Sequence, residues 1–147
     1  MQLSDREAII ELMARYAYAL DSKDYDAIAA CFVDTATADY AGFTEPLAGI
    51  EQILPHMRRA LDPLSASQHL FTNFIVNIKG DRAELRCDIL AQHIRHGEGS
   101  ETSFLAGGRY RVSVARDNGH WKFTAIHARS IWSMGDRAML PSVSPHP

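Results

Sequence analysis

Apolar positions in the first part of the chain recur at helical spacing. Ile9, Leu12, Met13, Tyr16 and Leu20 fall on one side of a helix, and Ser4 with Glu7 three residues on supplies a capping box at its start. Asp24 can cap a short second helix whose Ile28, Cys31 and Phe32 face inward, before Asp34-Thr35-Ala36 turns the chain into a strand reaching about Tyr40. Gly42 marks a bend. From Gly49 the positions Ile50, Ile53, Leu54, Met57 and Leu61 predict a third helix, which Pro55 is expected to kink or shorten because it lacks a backbone donor. Asp62-Pro63 closes it.

After Ser65 the period changes from helical to alternating. Four long strands are predicted, about 67–78, 82–96, 103–116 and 120–132, joined at Lys79-Gly80-Asp81, Gly97-Glu98-Gly99-Ser100 and Asp117-Asn118-Gly119. Helices followed by a run of strands indicate an α+β fold, with a curved, mostly antiparallel sheet wrapped around the three N-terminal helices. Gly107-Gly108 allows the bulge that such curvature needs. In the second long strand Ala83, Leu85, Cys87, Ile89, Ala91 and His93 share one face and Arg82, Glu84, Arg86, Asp88 and Gln92 the other, so His93 points inward. In the next strand Phe104, Ala106, Gly108, Tyr110, Val112 and Val114 form a similar face. An apolar wall with a few polar groups is the usual form of a small-molecule site. The pattern fits a single domain over about 1–137, with a Pro-rich, polar tail at 138–147 expected to be mobile.

With 147 residues and 46% of them hydrophobic, the chain can bury a core without disulfides or metals. A net charge of -3 and a pI near 6.1, with scattered lysines and arginines, argue against nucleic acid. The start Met1-Gln2-Leu3-Ser4-Asp5-Arg6-Glu7 has no signal-peptide pattern, and no stretch approaches membrane-spanning length. Cys31 and Cys87 lack metal or redox spacing and read as buried free thiols. A cytoplasmic home and no membrane partner are expected.

The chemistry centres on Leu20-Asp21-Ser22-Lys23-Asp24-Tyr25-Asp26, where an apolar helical face hands over to a carboxylate. Turned inward, Asp21 needs a partner, because an unpaired buried charge is prohibitively costly. His69 and His93 are the available imidazoles, and one carboxylate with two imidazoles makes an acid/base set near neutral pH. Each member has an ordinary alternative: Asp21 as a helix cap, although Asp24 is better placed; each histidine as a satisfied core residue; Tyr40 as a strand aromatic. As a set they must converge on shared hydrogen bonds. His93 and His96, three apart on a strand, fall on opposite faces, so no metal site is expected there. Ser65, Ser67 and Ser103 lack a nucleophile elbow, and no glycine loop cradles phosphate. Trp121, Phe123 and Trp132 suit core or interface packing, and Arg129 suits either an ion pair with an acid or the fixing of a substrate.

These residues resemble the scytalone dehydratase family within the SnoaL-like, NTF2-like cone-shaped fold. The similarity runs from about Asp5 to Asp136 and rests on Leu20 to Asp26, Ala38-Asp39-Tyr40 with Phe43, Gln68-His69, His93, and Trp121-Lys122-Phe123 through Ile131-Trp132. The resemblance implies that Asp21 orients and charges His69, the general acid/base. It also implies that His93 helps hold a departing hydroxyl and that Tyr40 acts through a water on the substrate carbonyl. The implied activity is a cofactor-independent dehydration of a small cyclic hydroxyketone. Alternatives are a SnoaL-like isomerase or cyclase using the same dyad, or a non-catalytic module binding a small apolar ligand. Phe43, Gly108, Tyr110 and Ile126 are the implied substrate-binding positions. Where the family has a second water-holding tyrosine this chain has Leu20, and Tyr110 is a substitute from another direction. Ile126 stands where the dehydrochlorinase branch has an arginine, which argues against halide elimination. Aromatics expected on the outer face of the sheet, with the Trp132 region, point to a homo-oligomer, a dimer or a trimer, and the resemblance implies that trimers are common among the relatives.

Overall fold

A computed structural model of the protein describes residues 2–141. Helix α1 (Asp5–Ser22) starts at the expected capping box: the Ser4 side chain accepts from the Glu7 backbone while Glu7 reaches back to the Ser4 backbone. Its predicted stripe is buried, with Ile9, Met13 and Tyr16 fully so. Lys23 ends it in the left-handed conformation, and Asp24 caps α2 (Tyr25–Ala30) by accepting from the Ala27 backbone. Phe32 belongs to strand β1 (Phe32–Tyr40) rather than to the second helix, where it pairs with Phe123. A two-residue strand β2 (Leu47–Ala48), absent from the sequence reading, pairs with β1.

Helix α3 (Ile50–Leu61) is not shortened by Pro55. The missing N–H leaves free the carbonyl of Glu51, and both Glu51 and Pro55 are exposed, so water can satisfy it. The four long strands follow as β3 (Ala66–Lys79), β4 (Arg82–Gly97), β5 (Ser100–Asp117) and β6 (His120–Gly135). Together the strands form one curved six-stranded mixed sheet in the order β2-β1-β6-β5-β4-β3, antiparallel except that β1 runs parallel to β6.

The helices pack on the concave face. At the centre, Tyr16, Phe32 and Phe123 meet edge-to-face with centroids 5.2–5.7 Å apart, and burying each such ring contributes about 1.5–3 kcal/mol. Gly107 and Gly108 sit at the expected register shift between β5 and β6. A Cβ at Gly107 would run into the indole of Trp132, and one at Gly108 into the backbone carbonyl of Arg129. No helix among the described residues is long and apolar enough to cross a membrane.

The start of the expected tail, 138–141, is placed against the body of the domain. Asp136 caps a 3-10 turn over Arg137–Met139, Met139 is buried, and Leu140 and Pro141 reach the interior cavity. Arg137 fastens this segment by stacking on Phe43, 3.7 Å from guanidinium carbon to ring centroid, and by donating to the Gly42 carbonyl. The rest of that expected tail, 142–147, lies outside the described residues.

Candidate active site

Asp21 lies on the last turn of α1, one turn beyond the buried Ala17, so helical geometry turns it toward the sheet. A carboxylate there opposes the helix dipole and must be stabilised by other contacts. Its Oδ1 accepts from Ser67 Oγ at 3.0 Å and from His69 Nδ1 at 2.7 Å, and its Oδ2 accepts from the His69 backbone N–H at 3.0 Å. Burial pushes the Asp21 pKa up, but the hydrogen bonds from the ring and backbone of His69, the charge of that ring and the Ser67 hydroxyl outweigh it. The net result is a carboxyl held below its ordinary value.

Strand alternation puts Ser67, His69 and Phe71 on the inward face of β3. Because a carboxylate only accepts, His69 Nδ1 carries the proton toward Asp21, and in the neutral form of the ring Nε2 is the nitrogen with the free lone pair. His93 on β4 lies opposite Ser67 in the β3–β4 ladder, so its ring is the diagonal neighbour of His69, with centroids 5.5 Å apart and planes at 89°. It is 6% exposed, as its alternation predicted. Its Nδ1 donates to the Phe104 carbonyl at 3.0 Å, which leaves Nε2 an acceptor. Burial, against the Phe104 bond and with the neighbouring His69, pulls its pKa down to about 4, so it is neutral near pH 7.

Tyr40 closes β1, and its hydroxyl shares a 2.9 Å hydrogen bond with that of Tyr16. Burial pushes both phenols well above their ordinary range. Tyr16 is therefore the second phenol at this point of the site, one helical turn before Leu20. Tyr110, expected in that role, contacts Tyr40 ring to ring, with centroids 6.4 Å apart, and its hydroxyl makes no hydrogen bond to Tyr40. Sequence reasoning filed Tyr16 under core packing and passed over His56, which stacks on Tyr40 at 5.6 Å. It also overlooked Ser67 as a partner of Asp21. The helical stripe placed Tyr16 inward, but its hydroxyl partner depended on where β1 lies. His56, adjacent to Met57 of the apolar stripe, was a signal available in the chain.

These groups converge on one cavity of about 130 Å³. His69, His93, Tyr40, Phe43, Gly108 and Tyr110 all line it, together with Tyr16 and His56. Asp21 stands behind His69 rather than on the wall. Ile126 does not reach the cavity, which corrects its expected substrate contact: it is fully buried in the core, between Ala38 and Val112 in the sheet. His96 is exposed and lies 3.1 Å from Glu101. Arg129 is exposed too, makes no ion pair among the described residues, and contributes to the lining of the cavity. Among the described residues no three His, Cys, Asp or Glu side chains gather as metal ligands.

A family model described as SnoaL-like domain matches residues 1–127. Among curated proteins, Terrestric acid biosynthesis cluster protein E of Penicillium crustosum is 30% identical over 143 residues, covering 93% of this chain and 90% of the relative. Among solved structures, a candidate aromatic ring hydroxylase from Novosphingobium aromaticivorans superposes with a TM-score of 0.84 at 28% identity, over 94% of this chain and 99% of that one. A candidate scytalone dehydratase from the same organism gives 0.80 at 21% identity, covering 96% and 92%. A hexachlorocyclohexane dehydrochlorinase from Novosphingobium barchaimii gives 0.76 at 22%, covering 95% and 94%. At their identities the last two establish likeness of fold.

Proposed function

The chain belongs to the SnoaL-like domain family, and from that premise we propose that it is a cofactor-independent hydro-lyase that removes water from a small cyclic β-hydroxyketone. The observation that carries this reading is the Asp21–His69 couple, with an imidazole tautomer fixed by a carboxylate and its free nitrogen on an apolar cavity wall. The Asp21 charge stabilises the imidazolium as it forms, and low polarity around it strengthens that coupling.

His69 Nε2 takes the proton α to the carbonyl while Tyr40, held by Tyr16, donates through a water to the developing enolate oxygen. His93 Nε2, an acceptor, takes a hydrogen bond from the β-hydroxyl and holds it beside His69. The enolate electrons then form the carbon–carbon double bond, the carbon–oxygen bond breaks, and the proton on His69 passes to the leaving hydroxyl. Water departs and the His69 imidazole returns to neutral, while His93 stays neutral throughout. Among the comparisons, the dehydratase and dehydrochlorinase names both denote eliminations, which supports this class of reaction.

Incubation of the protein with cyclic β-hydroxyketones, followed by product mass, tests the reading. Loss of one water is expected. An unchanged mass with a shifted double bond or closed ring would make the protein an isomerase or cyclase of the same dyad, and binding with no conversion of any of them would make it a carrier. The exposed Ile131, Trp132 and Met134 near the end of β6 support a homo-oligomer, to be measured by sedimentation.

A further inference from the structure

His56 holds hydrogen-bonding capacity that the elimination does not use. It follows Pro55 on α3, is 5% exposed, and lines the same cavity as His69 and His93. Its ring lies nearly flat on Tyr40, with planes 16° apart. Among the described residues neither ring nitrogen has a hydrogen-bond partner, and neither is sealed into packing. A neutral imidazole has one donor and one acceptor. A ring nitrogen with no protein partner at a cavity is free to bond whatever fills that cavity, water or a guest.

Position decides which end of a guest it meets. His56 and Tyr40 stand at the β1 side, whereas His69 and His93 are carried by β3 and β4. The sheet order puts β6 and β5 between β1 and β4, three strand spacings of about 4.8 Å each along the curve. Between them the cavity wall is made by Ala106, Gly107, Gly108 and Tyr110 of β5 and by Ala128 and Arg129 of β6. A cavity of about 130 Å³ suits one six-membered ring, since a dry apolar cavity of about 150 Å³ holds benzene.

We propose that His56 is a substrate-binding residue that hydrogen-bonds a ring oxygen on the side away from the His69–His93 pair, so that the substrate is a small ring oxygenated at two separated positions. Naming the group at the His69 side rests on the dehydratase reading; binding at His56 does not. Burial, and then the nearby Arg59, hold the His56 pKa below its ordinary value, which favours the neutral ring with one donor and one acceptor nitrogen.

Resorcinol, phenol and benzene serve as probes, titrated into wild type, His56→Leu and His56→Gln by calorimetry and by nitrogen-15 NMR of labelled histidine. Resorcinol is expected to bind wild type more tightly than benzene and to shift the His56 ring signals. His56→Leu should weaken resorcinol about tenfold or more while leaving benzene unchanged or tighter, the size expected for losing one buried hydrogen bond. His56→Gln, which keeps a donor and an acceptor, should recover part of the loss. Equal resorcinol affinity in His56→Leu, unmoved His56 signals at saturation, or no preference of wild type for resorcinol over benzene would each overturn the proposal. Should His56→Leu not fold, the wild-type nitrogen-15 titration decides. A protein that binds resorcinol through His56 but eliminates no water would lose the dehydratase reading and keep this one.

Discussion

Asp21 holds His69 at two points, the ring Nδ1 on Oδ1 at 2.7 Å and the backbone N–H of the same residue on Oδ2 at 3.0 Å. The second bond survives any substitution of the side chain, and Ser67 also remains. His69→Ala should therefore leave the carboxylate satisfied and cost only about 1 kcal/mol of stability, the worth of one hydrogen bond. Turnover should fall by about 10²- to 10⁴-fold, the usual contribution of a general acid/base. Steady-state rates and a denaturant titration check both, and equal collapse of folding would mark His69 as structural. Asp21→Ala is expected to be worse for stability, because it strips the Ser67 hydroxyl and the His69 N–H of their acceptor together.

Stability should fall on mild acidification, with His93 as a named contributor. Its folded pKa of about 4 lies below the ordinary 6.5, so between those values the unfolded chain binds the proton and the folded one does not. The contribution is complete above about pH 6.5 and is lost progressively toward pH 4, up to about 3 kcal/mol in all. Asp21 acts in a different window: its lowered pKa stabilises the fold above the ordinary carboxylate range and is lost as pH falls through the folded value. Denaturant unfolding across pH should show the His93 step in wild type and lack it in His93→Gln. A slope the same in both proteins would remove His93 from the account.

The Tyr16–Tyr40 pair predicts a non-additive mutant cycle. Either single change to Phe leaves a buried hydroxyl without its partner, at about 1–2 kcal/mol, whereas the double change removes both groups, so the double should cost less than the sum. Tyr16→Phe should also lower turnover through Tyr40, while Tyr110→Phe, with no hydrogen bond to that pair, should have less effect. Strict additivity of the unfolding energies would refute the pairing.

Gly108→Ala should cost more than Gly107→Ala. The added methyl at Gly108 meets the fixed backbone of Arg129, whereas at Gly107 it meets the indole of Trp132, which is 46% exposed and can swing away. A loss in the range of about 1–3 kcal/mol is expected for Gly108 and a smaller one for Gly107. Thermal melts of the two variants give the order directly.

Much of this protein was legible in its residues because the signals were local. Ser4 and Glu7 announced the first helix, alternation from Ala83 to His93 fixed which way that imidazole points, and Asp21, His69, His93 and Tyr40 stood out as a candidate set by residue type and resemblance. Local pattern failed where partners come from afar. Phe32 reads as helical by spacing, yet its pairing with Phe123 makes it strand. Ile126 aligns with a site position yet ends inside the core. Leu140 and Pro141 belong to a tail by composition yet reach the cavity.

The sequence by itself determined the order of helices and strands, the faces they bury and the acid/base residue types, since these follow from periods of 3.6 and 2 and from side-chain chemistry. Only the tertiary structure decided that Asp21 meets both the ring and the backbone of His69, that Tyr16 supplies the second phenol, and that His56 faces the same space. The physical reason is that a hydrogen bond acts over about 3 Å, and bringing residues tens of positions apart to that distance depends on sheet curvature and helix packing that no short stretch of chain encodes.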